Sequence, residues 1–409
     1  MYTEIKKCRI CGNKNLNTIL SLGEQYLTGV FPKSSAEKIT KGPLDLVWCV
    51  SCGLLQIKHS YDLKEMYGDN YGYRSGLNAS MVRHLQQKIH TLEQLVHLND
   101  DNLVIDIGSN DATSLKAYSG KHRKIGVDPT GLKFKEYYTD DISLIPDFFS
   151  AKDIQDNFPG EKAKIITSIA MFYDLENPID FVKDIELTLA NDGIWHFEQS
   201  YMPSMLRTNA YDTVCHEHLE FYSLKVIKSM LEKCGLRIID VQMNAINGGS
   251  FAITVCKKDA VYKSNTPIID WMLKQEDNME LSTPKPYQNF KEKVFRHRKS
   301  LTELIETLVL DGKKILGYGA STKGNVLLQF CGLTNKHIPY IADVNEDKFG
   351  SYTPGTNIPI ISEKEARAMK PDYFLVLPWH FKHSILEREK DFLAQGGKFI
   401  FPLPEIEIV

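Results

Sequence analysis

Hydrophobic positions along the chain follow two alternating patterns. Short unbroken apolar runs bounded by glycine, proline or charge read as buried strands, and apolar residues every three or four positions read as helices. Between residues 101 and 258 the strand-like runs are LVIDIG, KIGVD, KIITSIAMF, GIWHFEQ and FAITVC. Their alternation with helical segments predicts an α/β fold with a mostly parallel sheet. A helix is predicted from about Ser80 to Leu98, after the tyrosine-rich stretch YGDNYGYRSG. The stretch from Tyr262 to Leu310 is polar and helical, with Pro284 and Pro286 marking a break. From Lys313, the runs KILGYGA, IPYIAD, DYFLVLP and KFIFPLP predict a second α/β unit. The first 65 residues are short-patterned, turn-rich and cysteine-bearing. The expected division is therefore 1–65, 66–258 and 259–409.

Length agrees, since 409 residues exceed one ordinary core. A hydrophobic fraction of 43% and a charged fraction of 25% are those of a globular protein. With a formal net charge of −3, nucleic acid and anionic membrane are not expected partners, and no obligatory protein partner is evident. No apolar run reaches the roughly 18–20 residues of a bilayer span, and the N-terminus holds charges and cysteines where a signal peptide needs apolar residues. A cytoplasmic location is expected. In such a reducing compartment the two Cys-x-x-Cys pairs, Cys8 with Cys11 and Cys49 with Cys52, read as metal ligands and less well as redox pairs. Four thiolates fill a tetrahedral Zn²⁺ site, so this zinc is expected to be structural.

The segment around Asp106, Gly108, Ser109, Asn110 and Asp111 is read as a strand, a glycine turn and then a helix. Its two carboxylates would repel a phosphate and suit a ligand with an amino group and a sulfonium charge. Asp128, followed by Pro129, ends the next strand, where a carboxylate accepts ribose hydroxyls. Asp147, Phe148 and Phe149 are placed to bond and stack with adenine, and Ser168 and Ala170 reach the same crevice. The further glycines of an NAD fingerprint are missing after Gly108. S-adenosylmethionine is the expected cofactor.

The densest chemistry lies between Glu198 and Tyr222, where Tyr201, Tyr211, Cys215, His216, Glu217 and His218 follow the strand GIWHFE. His216 and His218 lack a third metal ligand at a recognisable spacing. Acid–base work is the better reading: methyl transfer to carbon needs removal of a proton beside a ketone, and histidine is the natural base near neutral pH. In the C-terminal unit, Gly319, Ser321, Lys323 and Asn325 form a strand-to-helix turn suited to a diphosphate. Asp343, Trp379 and the turn Asn247, Gly249 and Ser250 are further candidates at strand ends and turns.

These motifs (CRICG, CVSCG, VIDIGSND, EQSYM…YDTVCHEH, NGGSFAI and GYGASTKGN) occur together from end to end. The chain resembles the three-domain sugar C-methyltransferases that act on nucleotide-linked keto-deoxyhexoses. The resemblance implies a zinc-binding N-terminal domain, a central class I Rossmann-like methyltransferase domain and a C-terminal Rossmann-like domain on the nucleotide-sugar side. It implies His218 as the base with Glu217 beside it, and Tyr71 and Tyr73 in a loop that closes over the active site. It also places Asp343, Trp379 and the turn Asn247, Gly249 and Ser250 on the substrate side. Three positions depart from the family pattern: Cys215 replaces a tyrosine, Asp174 a histidine and Ala112 a glycine. The first two are expected to face substrate. The readings set against this one are an O- or N-methyltransferase, an NAD-dependent oxidoreductase using Gly317 and Gly319, and a nucleic-acid-binding zinc module.

Overall fold

The computed structural model describes residues 1–66 and 73–409, with only the backbone described for Leu63, Lys64 and Asn247. The expected apolar runs form the central sheet. Its seven strands lie in the order Leu236–Asn244, Ser250–Lys257, Leu189–Ser200, Ala163–Ile169, Leu103–Ile107, Arg123–Val127 and Ile142–Ile145. Ser250–Lys257 runs antiparallel to both neighbours, and the other pairings are parallel. Chain order reverses between Leu103–Ile107 and Ala163–Ile169, so the crevice at their carboxyl ends is the topological switch point where such sheets hold ligands.

The C-terminal sheet is ordered Ile360–Ser362, Ile341–Asp343, Ile315–Tyr318, Tyr373–Val376, Lys398–Phe401 and Glu407–Ile408, with only the last strand antiparallel. One local expectation changes. No α-helix follows Gly108; the chain makes turns and a short 3₁₀ segment, Leu115–Ala117. Asn110 and Ala112 have φ of 49° and 58°, which right-handed helix cannot accommodate. As expected, Pro284 and Pro286 mark a break: the helix Thr266–Asn278 ends before them, and the 26-residue helix Lys285–Leu310, whose first turn tolerates proline, begins there.

The N-terminal sheet is antiparallel, built from Leu16–Tyr26, Lys41–Cys49 and Leu55–Ile57. Its fourth strand, Glu220–Phe221, comes from the middle of the chain and pairs with Leu55 and Gln56. This unit is wedged between the other two. Leu20, Leu46 and Trp48 share a core with Tyr287, Phe290 and Phe330, while Cys49 and Leu54 share another with Phe172 and Tyr222. The Asn325 amide donates to the Thr28 carbonyl at 2.7 Å, tying the wedge to the C-terminal unit. Among the described residues no helix is long and apolar enough to cross a membrane.

Glu276 fixes the base of the segment that follows Ser200. Buried at 2% exposure, it accepts the Tyr201 hydroxyl at 2.7 Å and the backbone N–H of Leu224 at 2.5 Å and Lys225 at 2.9 Å. Glu276→Ala leaves those buried donors unmet. Denaturant unfolding should register a loss of roughly 2–4 kcal/mol.

Candidate active site

A cavity opens at the switch point. Ten of the expected cofactor residues line it: Asp106, Gly108, Ser109, Asn110, Asp128, Pro129, Asp147, Phe148, Phe149 and Ala170. The turn that builds it is held from within. Asp128 accepts the Asn110 N–H at 2.7 Å, and the Thr130 N–H and hydroxyl at 2.7 and 2.6 Å. A Cβ on Gly108 would lie 3.2 Å from the Met171 side chain, so the backbone needs glycine's freedom there, at φ 71°. Burial lifts the Asp106 carboxyl to about 7, against the pull of hydrogen bonds from Thr167 and Ser114. The wall combines carboxylates, amides and the aromatics Phe148 and Phe149, which fits an amino acid, a ribose and an adenine in one ligand.

Two expected cofactor residues sit elsewhere. Ser168 is fully buried and accepts the Trp195 indole N–H at 2.9 Å. Asp111 accepts the Gly76 N–H at 2.9 Å and the Thr113 hydroxyl at 2.5 Å. With the Ser75 N–H donating to Asn110 at 3.0 Å, it straps the 73–77 segment over the turn and brings Tyr73 to the cavity wall. Ala112, where the family has glycine, accepts a left-handed backbone while burying its methyl completely. Tyr71 lies outside the described residues.

Of the substrate-side candidates, Asp174, Glu198 and Ser250 also line this cavity. Glu198 carries a network the sequence reading missed. Its carboxylate is met by His84 at 2.7 Å, Lys88 at 2.6 Å and Asn244 at 2.5 Å. Burial opposes ionisation, but His84 and Lys88 outweigh it and hold the group near 2. His84 and Lys88 stand four apart on the helix Ala79–Leu95, flanking its buried Leu85. Several other candidates are structural in their contacts. Tyr201 serves Glu276, Tyr211 bonds His297 at 3.0 Å in the core, and Asn325 binds Thr28.

The His216–Glu217–His218 run is irregular backbone before the Glu220–Phe221 strand. His216 is fully buried against Tyr61, ring centroids 4.6 Å apart, with no hydrogen bond to either nitrogen. His218 stands differently. Its Nδ1 donates to the Thr213 carbonyl at 3.0 Å, and its ring packs on Tyr173 with centroids 4.2 Å apart. A carbonyl only accepts, so the proton sits on Nδ1 and Nε2 keeps its lone pair. Burial and the Lys323 cation hold the ring neutral, with its pKa down at about 3. Tyr173 adjoins Asp174 of the cavity wall. The Glu217 carboxyl lies against Gly29, where a Cβ would meet its Oε1 at 1.8 Å. Burial raises it to about 7, with a Cys215 hydrogen bond acting the other way.

On the C-terminal side, Trp379 donates its indole N–H to Asp212 at 2.7 Å and packs on Gly248, while Gly249 packs on Ser204. Burial lowers Lys323, opposed by Asp212 and Cys215. The glycine turn is partly filled by its own side chains. Asp343 accepts the Ala320 N–H at 2.7 Å, Lys348 donates to the Ala320 carbonyl at 2.8 Å, and Ser321 caps the helix Thr322–Cys331. Gly319, at φ 81°, packs against Pro378.

The four expected zinc ligands converge. The thiols of Cys8, Cys11, Cys49 and Cys52 lie within 4.8 Å of one another, with Cys8–Cys52 at 3.6 Å and Cys11–Cys49 at 3.5 Å. Those separations are too long for disulfides and close to the roughly 3.8 Å between sulfurs on a tetrahedral zinc with 2.3 Å bonds. The two halves match: Gly12 N–H donates to Cys8 O at 3.0 Å and Gly53 N–H to Cys49 O at 2.9 Å, both glycines at positive φ.

This sheet order, cavity and zinc knuckle define a zinc-containing, S-adenosylmethionine-dependent methyltransferase. Family models agree along the chain: "Putative zinc binding domain" matches residues 8–67, "Methyltransferase domain" 78–241 and "C-methyltransferase C-terminal domain" 245–404. The chain is 30% identical to C-methyltransferase NovU of Streptomyces niveus over 415 aligned positions, covering 99% of this chain and 97% of that protein. It belongs to the three-domain, zinc-containing sugar C-methyltransferase family. Solved structures overlap less of it. Plantazolicin methyltransferase BpumL with SAH covers 45% of this chain and 87% of its own at 12% identity, TM-score 0.36. Mitomycin 7-O-methyltransferase MmcR covers 44% and 55% at 15% identity, TM-score 0.34.

Two outcomes follow. Cys49→Ser should drop the zinc content well below one per chain by atomic absorption and lower the thermal midpoint by about 5 °C or more. Glu217 has a folded pKa above its unfolded value of 4.5, so its contribution is full below pH 4.5 and is lost as pH rises through 7. Glu217→Gln should therefore stabilise the fold at pH 8 by up to about 3 kcal/mol, and not at pH 4, in denaturant titrations.

Proposed function

We propose that the enzyme methylates a carbon beside the ketone of a nucleotide-linked keto-deoxysugar, with His218 as the base. The observation that carries this reading is the state of His218: Nδ1–H held by Thr213, Nε2 unprotonated, and the ring on Tyr173 next to the cofactor cavity. Nε2 takes the proton, and the C–H electron pair passes into the carbonyl as an enolate. S-adenosylmethionine, which Asp106, Asp128 and Phe148 of the cavity wall would hold, would supply the electrophilic methyl group for that carbon, with its sulfur leaving as a thioether. The Thr213 carbonyl fixes the ring and stabilises the imidazolium after transfer. Lys323, whose charge is felt at His218, opposes the imidazolium but favours the developing enolate and the substrate diphosphate.

In this reading the sugar lies between the central and C-terminal units, with its diphosphate near Lys323 and Ser321 and its ring near Asp174 and Ser250 on the cavity wall; Cys215, expected to face substrate, is instead completely buried in the core. A carboxylate at 174 shapes a sugar pocket different from one built with histidine. Glu217, turned toward Gly29 and Cys215, acts on the electrostatics of the pocket, while Thr213 is the direct partner of the imidazole. NovU is named a C-methyltransferase, which supports carbon as the acceptor.

The test is a panel of nucleotide keto-sugars and their ketone-reduced counterparts with ¹³C-methyl-labelled S-adenosylmethionine, read by NMR. The expected product has a new C–CH₃ group, forms only from ketones, and forms about 10²- to 10⁴-fold more slowly with His218→Ala. Methylation of the reduced sugars on oxygen or nitrogen would move the enzyme to the O- or N-methyltransferases.

A further inference from the structure

We infer that Arg9 is a positioning residue for His218, carrying the geometry of the zinc knuckle to the base. The inference rests on the reading of His218 as that base. Arg9 sits inside the first Cys-x-x-Cys pair, yet its side chain leaves the knuckle and is only 3% exposed. Nη1 donates to the Ile57 carbonyl at 2.7 Å, Nη2 to the Ser60 hydroxyl at 2.9 Å, and the backbone N–H to Gln56 Oε1 at 3.2 Å. That fixes the guanidinium on the strand Leu55–Ile57, the one that Glu220 and Phe221 join.

The remaining edge of the guanidinium faces two carboxylates. Nε lies 3.6 Å from Glu220 Oε1 and 3.5 Å from Glu176 Oε2. The Glu220 side chain is completely buried, and neither of its oxygens accepts a hydrogen bond. Burial pushes the Glu220 carboxyl well above its usual range, and Arg9, the one cation paired with it among the described residues, pulls it toward the ionised form. Glu220 is two residues beyond His218. Glu176 is three beyond Tyr173, whose ring carries His218 and whose carbonyl accepts the Leu219 N–H at 2.7 Å. One guanidinium therefore spans both walls of the base's pocket from a residue locked between two zinc ligands.

This geometry gives the zinc a specific use beyond stability. Arginine suits the role because its planar fork holds three partners at once in fixed directions, which lysine cannot do. Removing one member of a buried charge pair leaves the other uncompensated, so the local backbone should loosen. Replacing both members with apolar groups of similar size should restore it.

The experiment uses the full-length zinc-loaded chain and no sugar. Amide exchange of residues 213–222 and diethyl pyrocarbonate modification of His218, both by mass spectrometry, are compared in wild type, Arg9→Met, Glu220→Gln and Arg9→Met/Glu220→Met. S-adenosylhomocysteine affinity by calorimetry and zinc content are measured alongside. In Arg9→Met, exchange of 213–222 should rise about tenfold or more, and His218 modification should change, with zinc and S-adenosylhomocysteine affinity held within about twofold. Glu220→Gln, which leaves the knuckle intact, should loosen the same segment, and the double substitution should return it toward wild type. Unchanged protection of 213–222 in Glu220→Gln would overturn the inference. So would a double variant no better than Arg9→Met, or loosening spread evenly through the central sheet. Because no sugar enters the assay, a wrong assignment of substrate or base would leave these readouts unaltered and appear only in the methylation experiment.

Discussion

The arrangement of this enzyme depends on one strand pairing that crosses domain boundaries. Residues 216–221 belong by sequence to the methyltransferase unit but are built onto the zinc-bearing sheet. His216 packs on Tyr61, Glu217 fits against Gly29, Leu219 accepts the Ile57 N–H at 2.9 Å, and Glu220 and Phe221 pair with Gln56 and Leu55. The His218 ring turns the other way, to Thr213 and Tyr173, and the Leu219 N–H donates to the Tyr173 carbonyl. The zinc unit thus acts as a template on which the chemistry-bearing segment is laid. A thin antiparallel sheet needs the tetrahedral cross-link of a four-cysteine zinc to hold its shape.

Electrostatics divide the labour between the two sides of the site. In the cofactor cavity Asp128 stays embedded in donors, while Glu198 is kept ionised by His84 and Lys88. Around His218 the balance reverses. Burial and Lys323 suppress the charged imidazole, so the ring waits as a neutral acceptor, and buried Glu217 is pulled toward its protonated form. A neutral imidazole beside a cation suits the proposed reaction, in which negative charge develops on substrate oxygen.

Much of this was legible in the residues. Apolar runs located the strands because burial on both faces forces continuous hydrophobicity. Cysteine spacing located the zinc knuckle because the ligand geometry is local. What stayed hidden were long-range partners. Tyr201, Tyr211, Asn325, Ser168 and Asp111 look like ligand residues in sequence, yet each one's hydrogen bonds go to packing partners, from Glu276 to Gly76. His84 and Lys88 passed unnoticed because a polar pair on an amphipathic helix ordinarily faces water; their four-residue spacing beside buried Leu85 is the only trace they leave. The helix expected after Gly108 failed because the side-chain bonds of Asp111 and Asn110 favour turns there, with positive φ at Asn110 and Ala112.

The central claim is that His218 removes a proton from carbon. The most direct measurement is deuterium incorporation into a nucleotide keto-sugar held with the enzyme in heavy water, without a methyl donor. Deuterium should enter at the carbon beside the ketone with the wild-type enzyme and fail to enter with His218→Ala. Exchange at the wild-type rate in His218→Ala, or methylation of that sugar with no exchangeable carbon position, would contradict the account.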